Sequence, residues 1–212
     1  PLSIKESILF KVDHGMSVTA MSRKMAQQGW HHNEILLKLF LKFNPELASI
    51  KSGTYAIEPG HSLASILELF NSGKEHQFKI TFIEGTTFKE WLRNIEQNPY
   101  IKKSMSGLTI PQISQKLGIE QSNPEGLFFP DTYAFTDGEK DIDILRRAHE
   151  QMSRLLDKVW QERDTDLPYN SAYEVLIMAS IIEKESSVIA EQPKIASVFV
   201  NRLRKKMRLQ TD

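Results

Sequence analysis

The residues best placed to do chemistry lie in Tyr173–Glu185 (YEVLIMASIIEKE). Every residue from Val175 to Ile182 except Ser180 is apolar, and Glu183, Lys184 and Glu185 follow at once. An all-round apolar helix is expected to be central and buried. A carboxyl group at its end, against apolar side chains, would have its charged form disfavoured, which is the state a general acid needs near neutral pH. Helical spacing aligns Glu183 with Leu176, Ala179 and Ser180, whose small members leave room for a substrate. Glu185 aligns with the bulkier Met178, Ile181 and Ile182. Charge at a helix end also simply marks its entry into water, so the physics alone leaves both readings open.

Few other chemistries are supported. There is no cysteine among the 212 residues, so no disulfide framework, thiol nucleophile or Cys-ligated metal is available. The six histidines show no metal-ligand spacing, and neither a Gly-rich phosphate loop nor a serine nucleophile elbow is present. We expect no metal and no cofactor. Lys plus Arg equals Asp plus Glu at 27 each, which argues against a nucleic-acid binder. The basic run Arg202, Arg204, Lys205, Lys206 and Arg208 suits the negative end of a helix better than an anionic partner. Glu125 and Asp131, in a turn-rich loop around Pro130, either orient a substrate or cap local turns. Tyr133 either hydrogen-bonds a ligand or packs in a core.

The elements that must position these groups are legible in turn and capping signals. Gly15-Met16-Ser17, Gly60-His61-Ser62 and Gly85-Thr86-Thr87 each precede an apolar helical pattern, the glycine for the turn and the hydroxyl for the helix cap. Thr87 with Glu90, and Ser171 with Glu174, make capping boxes. The reading is strand Ser7–Val12, helices Ser17–Gln28 and Asn33–Phe43, strand Gly53–Ile57, helix Ser62–Asn71, strand Phe78–Ile83 and helix Thr87–Ile95. Helices over Ile142–Arg163, from Ser171 to about Glu185, and from Pro193 to roughly Lys206 follow. The expected fold class is α+β: a small α/β unit over residues 1–80 and a mainly helical domain over 81–212. No apolar run reaches the ~18–20 residues of a membrane span.

Ala179–Ser186 (ASIIEKES) resembles the catalytic motif of the YceG-like endolytic murein transglycosylases. Glu125–Tyr133 (EGLFFPDTY), Ala196–Leu203 (ASVFVNRL) and Met207–Asp212 (MRLQTD) resemble further family blocks in order, and Lys51–Tyr55 (KSGTY) with Glu84-Gly85 resembles the preceding domain. Leu127 and Phe129 stand where relatives often carry tryptophan. The resemblance implies a LysM-like N-terminal domain and a catalytic domain incomplete at its C-terminal end. It also implies non-hydrolytic cleavage of the MurNAc–GlcNAc β-1,4 bond of peptidoglycan, with Glu183 as acid and then base. Glu125, Asp131, Tyr133, Gln210, Thr211 and Asp212 fall in its signature blocks as substrate-contact candidates. Peptidoglycan strands as substrate, cell-wall synthases as partners, a single-pass inner-membrane anchor upstream of Pro1 and a periplasmic location are further implications. A hydrolytic muramidase and a peptidoglycan-binding module are the alternatives.

Overall fold

The computed structural model describes residues 4–30 and 34–209, the side chain of Leu36 excepted. In chain order the elements are β1 (Ile8–Val12), α1 (Val18–Gln27), α2 (Glu34–Phe43), β2 (Gly53–Ile57), α3 (Leu63–Ser72), β3 (Phe78–Thr81) and α4 (Phe88–Gln97). Then come α5 (Ile110–Leu117), β4 (Thr132–Phe135), α6 (Asp141–Glu162), α7 (Ala172–Glu185) and α8 (Gln192–Arg204). The chain is mixed α/β, about half helical with two small sheets. No helix among the described residues is long and apolar enough to cross a membrane.

The chain divides into two compact units, the first formed by Pro1–Phe82, Arg93–Ser104 and Thr132–Asp141. Here β1 and β2 pair antiparallel with Phe10 opposite Tyr55. Alternation sends Phe10, Val12, Tyr55 and Ile57 to one buried side. Onto it pack Met21 and Met25 of α1, Leu37 of α2, and Ile66, Leu67 and Phe70 of α3, with Trp30. The Phe10 ring stacks on Trp30 at 5.3 Å and on Phe70 at 5.5 Å between centroids. The caps form as the hydroxyl spacing predicts: Ser17 Oγ accepts from Ala20 N and Ser62 Oγ from Ser65 N.

A second sheet in this unit, β3 with β4, is also antiparallel, with Ile80 opposite Tyr133. Its outer end is aromatic, Phe78 lying 4.0 Å from Tyr100 and 5.7 Å from Phe135. The strand β4 is too short for its alternation to stand out in the sequence, and only its pairing with β3 defines it.

Two carboxylates tie this unit together. Asp141, only 2% exposed, accepts from the Ser104 backbone N–H at 3.0 Å and from the Ser104 hydroxyl. Asp137 accepts from Lys11 Nζ and Thr54 Oγ1, both at 2.8 Å. Burial pushes the Asp137 carboxyl up. The hydrogen bonds from Lys11 and Thr54 and the Lys11 charge outweigh that, and the net shift is below the usual carboxylate value. Its contribution to stability is therefore complete above about pH 4 and is lost as the pH falls through the depressed value. Asp137→Asn is expected to cost about 1 kcal/mol at pH 7. Urea midpoints measured from pH 7 to pH 2 should show the wild-type advantage disappearing in acid.

The second unit is formed by Ile83–Leu92, Met105–Asp131 and Ile142–Asp212. Its core gathers around Phe128, whose ring stacks parallel to Phe88 at 4.7 Å and also meets Trp91 and His149. In α6 the predicted stripe is buried at Ile144, Leu145, Ala148 and Met152, whereas Leu155 and Val159 are exposed. Periodicity marked the stripe, but only its first half meets a partner. α5 is an element the sequence reading did not assign. It opens at Thr109, whose N–H donates to Gln112 Oε1 at 2.8 Å, and closes at Gly118 in the left-handed conformation.

Candidate functional site

The helix carrying Glu183 forms where expected and is capped as expected at one point only. Ser171 Oγ accepts from Glu174 N at 3.2 Å. Glu174 does not complete the box: its carboxylate reaches one residue further back, to Asn170 N at 2.8 Å. The all-round burial expected of α7 is not what forms. Only Met178 is buried, at 5% exposure, while Ile177 is 43% exposed and Ala179 and Ser180 are open. The physical reason is layering. α8 packs against α7, and an apolar helix with too few covering elements leaves its other sides in water.

Glu183 sits in the last turn of α7 and is exposed, a correction to the expectation of a greasy enclosure. Of its line of neighbours, Ala179 and Ser180 are exposed and Leu176 is half-buried. Glu185 stands on the line of the buried Met178 yet is itself exposed at the helix end.

A group the sequence reading missed holds Glu183. Gln192, the first residue of α8, donates from Nε2 to Glu183 Oε2 at 2.9 Å and also approaches the Ser186 carbonyl at 3.3 Å. The connection is itself shaped by Ser186. Its hydroxyl donates to Glu191 Oε2 at 3.0 Å and accepts from Val188 N at 3.1 Å. The bond engages Oε2, one of the two carboxylate oxygens. The available signal was its place nine residues on, at the start of the next helix.

Glu125 has a definite partner. Both its oxygens accept from Phe88 N, at 3.0 and 3.1 Å, so it caps α4 from a distant loop. Thr87 and Glu90 cap the same helix end reciprocally, with Thr87 N to Glu90 Oε2 at 2.7 Å. Gly126 next to it holds φ +79°, and a Cβ built there would lie 3.5 Å from Leu176 Cδ2. This loop therefore leans on the stripe of α7 that leads to Glu183, about 10 Å further along the axis. Glu125→Ala should cost about 1 kcal/mol by leaving Phe88 N unpaired, with Glu125→Gln recovering part of it. Thermal melting of the two variants checks the order.

The remaining candidates are scattered. Asp131 is exposed and accepts from Gln151 Nε2 at 3.3 Å. Tyr133 lies in the other unit, buried on β4 with its ring 5.7 Å from Phe82. Its aromatic ring packs against the sheet, the second of the two readings the sequence left open. Gln210, Thr211 and Asp212 lie outside the described residues. In the basic run, Arg202 and Arg204 fall in the last turn of α8, and Arg204 Nη2 also pairs with Asp166 Oδ2 at 2.9 Å.

The chain is 28% identical to an endolytic murein transglycosylase of Bacillus subtilis (strain 168), over 98% of this chain and 62% of that protein. It is 25% identical to a protein of the same name from Streptococcus pneumoniae serotype 2 (strain D39 / NCTC 7466), over 75% of this chain and 28% of that protein. The chain thus spans about three fifths of the first relative and under a third of the second. A crystal structure of a YceG-like protein from Listeria monocytogenes matches 99% of this chain and 73% of that one, at 24% identity and a TM-score of 0.46. The sequence profile of the YceG-like family matches residues 10–212, nearly the whole length, and the chain belongs to that family.

Proposed function

We propose that this chain carries the acid of an endolytic lytic transglycosylase acting on peptidoglycan. The observation that carries the reading is the Glu183 carboxylate, accessible at the end of an apolar helix and held through one oxygen by Gln192. Family membership and the names of two curated relatives support it.

In this mechanism Glu183 protonates the oxygen linking MurNAc to GlcNAc as the glycosidic bond breaks. The resulting carboxylate then takes the proton of the muramoyl C6 hydroxyl, whose oxygen closes on the anomeric carbon as a 1,6-anhydro ring. The nucleophile belongs to the sugar, so a single carboxylate suffices where a hydrolase uses two. Gln192 keeps Glu183 in one rotamer through both transfers.

Residues 1–80 serve as a LysM-like unit that grips glycan, and Asp131 is a substrate contact, with Gln210, Thr211 and Asp212 proposed beside it from their signature block alone. A membrane anchor upstream of Pro1 would hold the enzyme beside cell-wall synthases in the periplasm, where cleavage terminates nascent strands. The test is mass spectrometry of sacculi digested by the full-length protein. Products ending in 1,6-anhydroMurNAc are expected. Reducing MurNAc ends would make the enzyme a hydrolytic muramidase, and intact strands would reduce this region to a binding module.

A further inference from the structure

The helical unit holds a concavity at the opposite end of α7 from Glu183. A cavity of about 260 Å³ is lined by the turn after α5, by α6 and by the first turn of α7. Its apolar base is Ile119, Leu127 and Met152, all buried. Its polar lining is Glu120, Gln121, His149, Ser153, Asp157 and Tyr173.

The polar lining is one-sided. It has two carboxylates and no lysine or arginine, and among the described residues neither carboxylate is taken by a cation. His149 Nδ1 lies 2.8 Å from the Leu127 carbonyl. A carbonyl oxygen only accepts, so Nδ1 carries a proton there. Two carboxylates with no lysine or arginine favour a cationic ligand. An ammonium group has three donors, no acceptor and the complementary charge. Tyr173 adds an aromatic ring to the same lining, a residue type that attracts cations. The volume is below the roughly 300–1,000 Å³ of sites that enclose a whole small molecule, which suits the tip of a side chain.

We propose that this cavity binds a primary ammonium group at the end of a flexible chain, with Glu120 and Asp157 as its charge partners and Tyr173 against it. Tyr173 and Glu183 lie on neighbouring lines of α7, ten residues and about 15 Å apart. If the substrate is peptidoglycan, the ligand is the free side-chain amine of a diamino acid in a peptide stem. That identification rests on the function proposed above; the cavity's selection of an ammonium group does not. The site would then read stem chemistry at a fixed distance from the bond being cut.

The experiment uses this chain with a blocked alanyl-lysyl-alanine tripeptide and its Nε-acetylated twin, followed by NMR of the Tyr173 and His149 rings. The free amine should shift both rings and bind about tenfold more tightly than the acetylated twin, a preference that Glu120→Gln with Asp157→Asn abolishes. Both positions are exposed, so the double variant should fold, and its melting temperature verifies this. Equal binding of the two peptides, no binding of either, or a preference that survives in the double variant overturns the proposal. Because no glycan is used, failure here is distinct from failure of the cleavage reading. Comparing full-length enzyme on sacculi with free and acetylated stem amines then tests the peptidoglycan assignment. A cleavage rate indifferent to acetylation would overturn it.

Discussion

Glu183→Gln in the full-length enzyme should lower glycan cleavage by about a thousandfold while leaving the fold unchanged. The amide has the carboxylate's shape, and its Oε1 still accepts from Gln192 Nε2, so the junction between α7 and α8 keeps its hydrogen bond. Glu183 is exposed, and no buried charge is disturbed by the change. What the amide lacks is a proton to give and a charge to receive one. Release of muropeptides from sacculi measures the loss, and an unchanged melting temperature separates it from unfolding. A variant retaining more than a tenth of the activity would remove Glu183 from the mechanism, and Glu185 would become the next acid to test.

The largest effect on stability is expected from Phe70→Ala. Phe70 is fully buried, stacked on Phe10 at 5.5 Å and tilted against Tyr55 at 4.9 Å. Its removal leaves a void between α3 and the first sheet, for a cost of about 3–5 kcal/mol. Tyr55 adds to this, because its hydroxyl donates to the Lys51 carbonyl at 2.9 Å and depends on Phe70 to hold the ring in place. Phe43→Ala is the matched control. At 76% exposure its truncation should stay within about 0.5 kcal/mol. Urea unfolding of the two variants should show the contrast, and equal costs would refute the core assigned to this unit.

Much of the local structure was already written in short-range chemistry. The glycine-hydroxyl pairs placed α1, α3 and α4 because a helix start has orphan N–H groups that a hydroxyl one turn back can satisfy. Gly53–Ile57 was read to its ends because Pro59-Gly60 closes it. α5 was also legible in principle: Thr109, Pro111 and Gln112 make a helix start between Gly107 and Gly118. β4 was not, since four residues need a partner strand to be a strand.

The sequence by itself determined where the helices start, which faces are apolar, and that a glutamate follows the apolar run Val175–Ile182. Those properties depend on residues three or four apart, which the chain order fixes. Only the tertiary structure decided which apolar faces are covered, and so left Glu183 open rather than enclosed. It alone aimed Gln192 at Glu183, sent Glu125 to the start of α4 and sank Tyr133 into a sheet. Each of those outcomes depends on contacts between segments far apart in the chain, and burial and hydrogen-bond partners are properties of such contacts rather than of any residue's type.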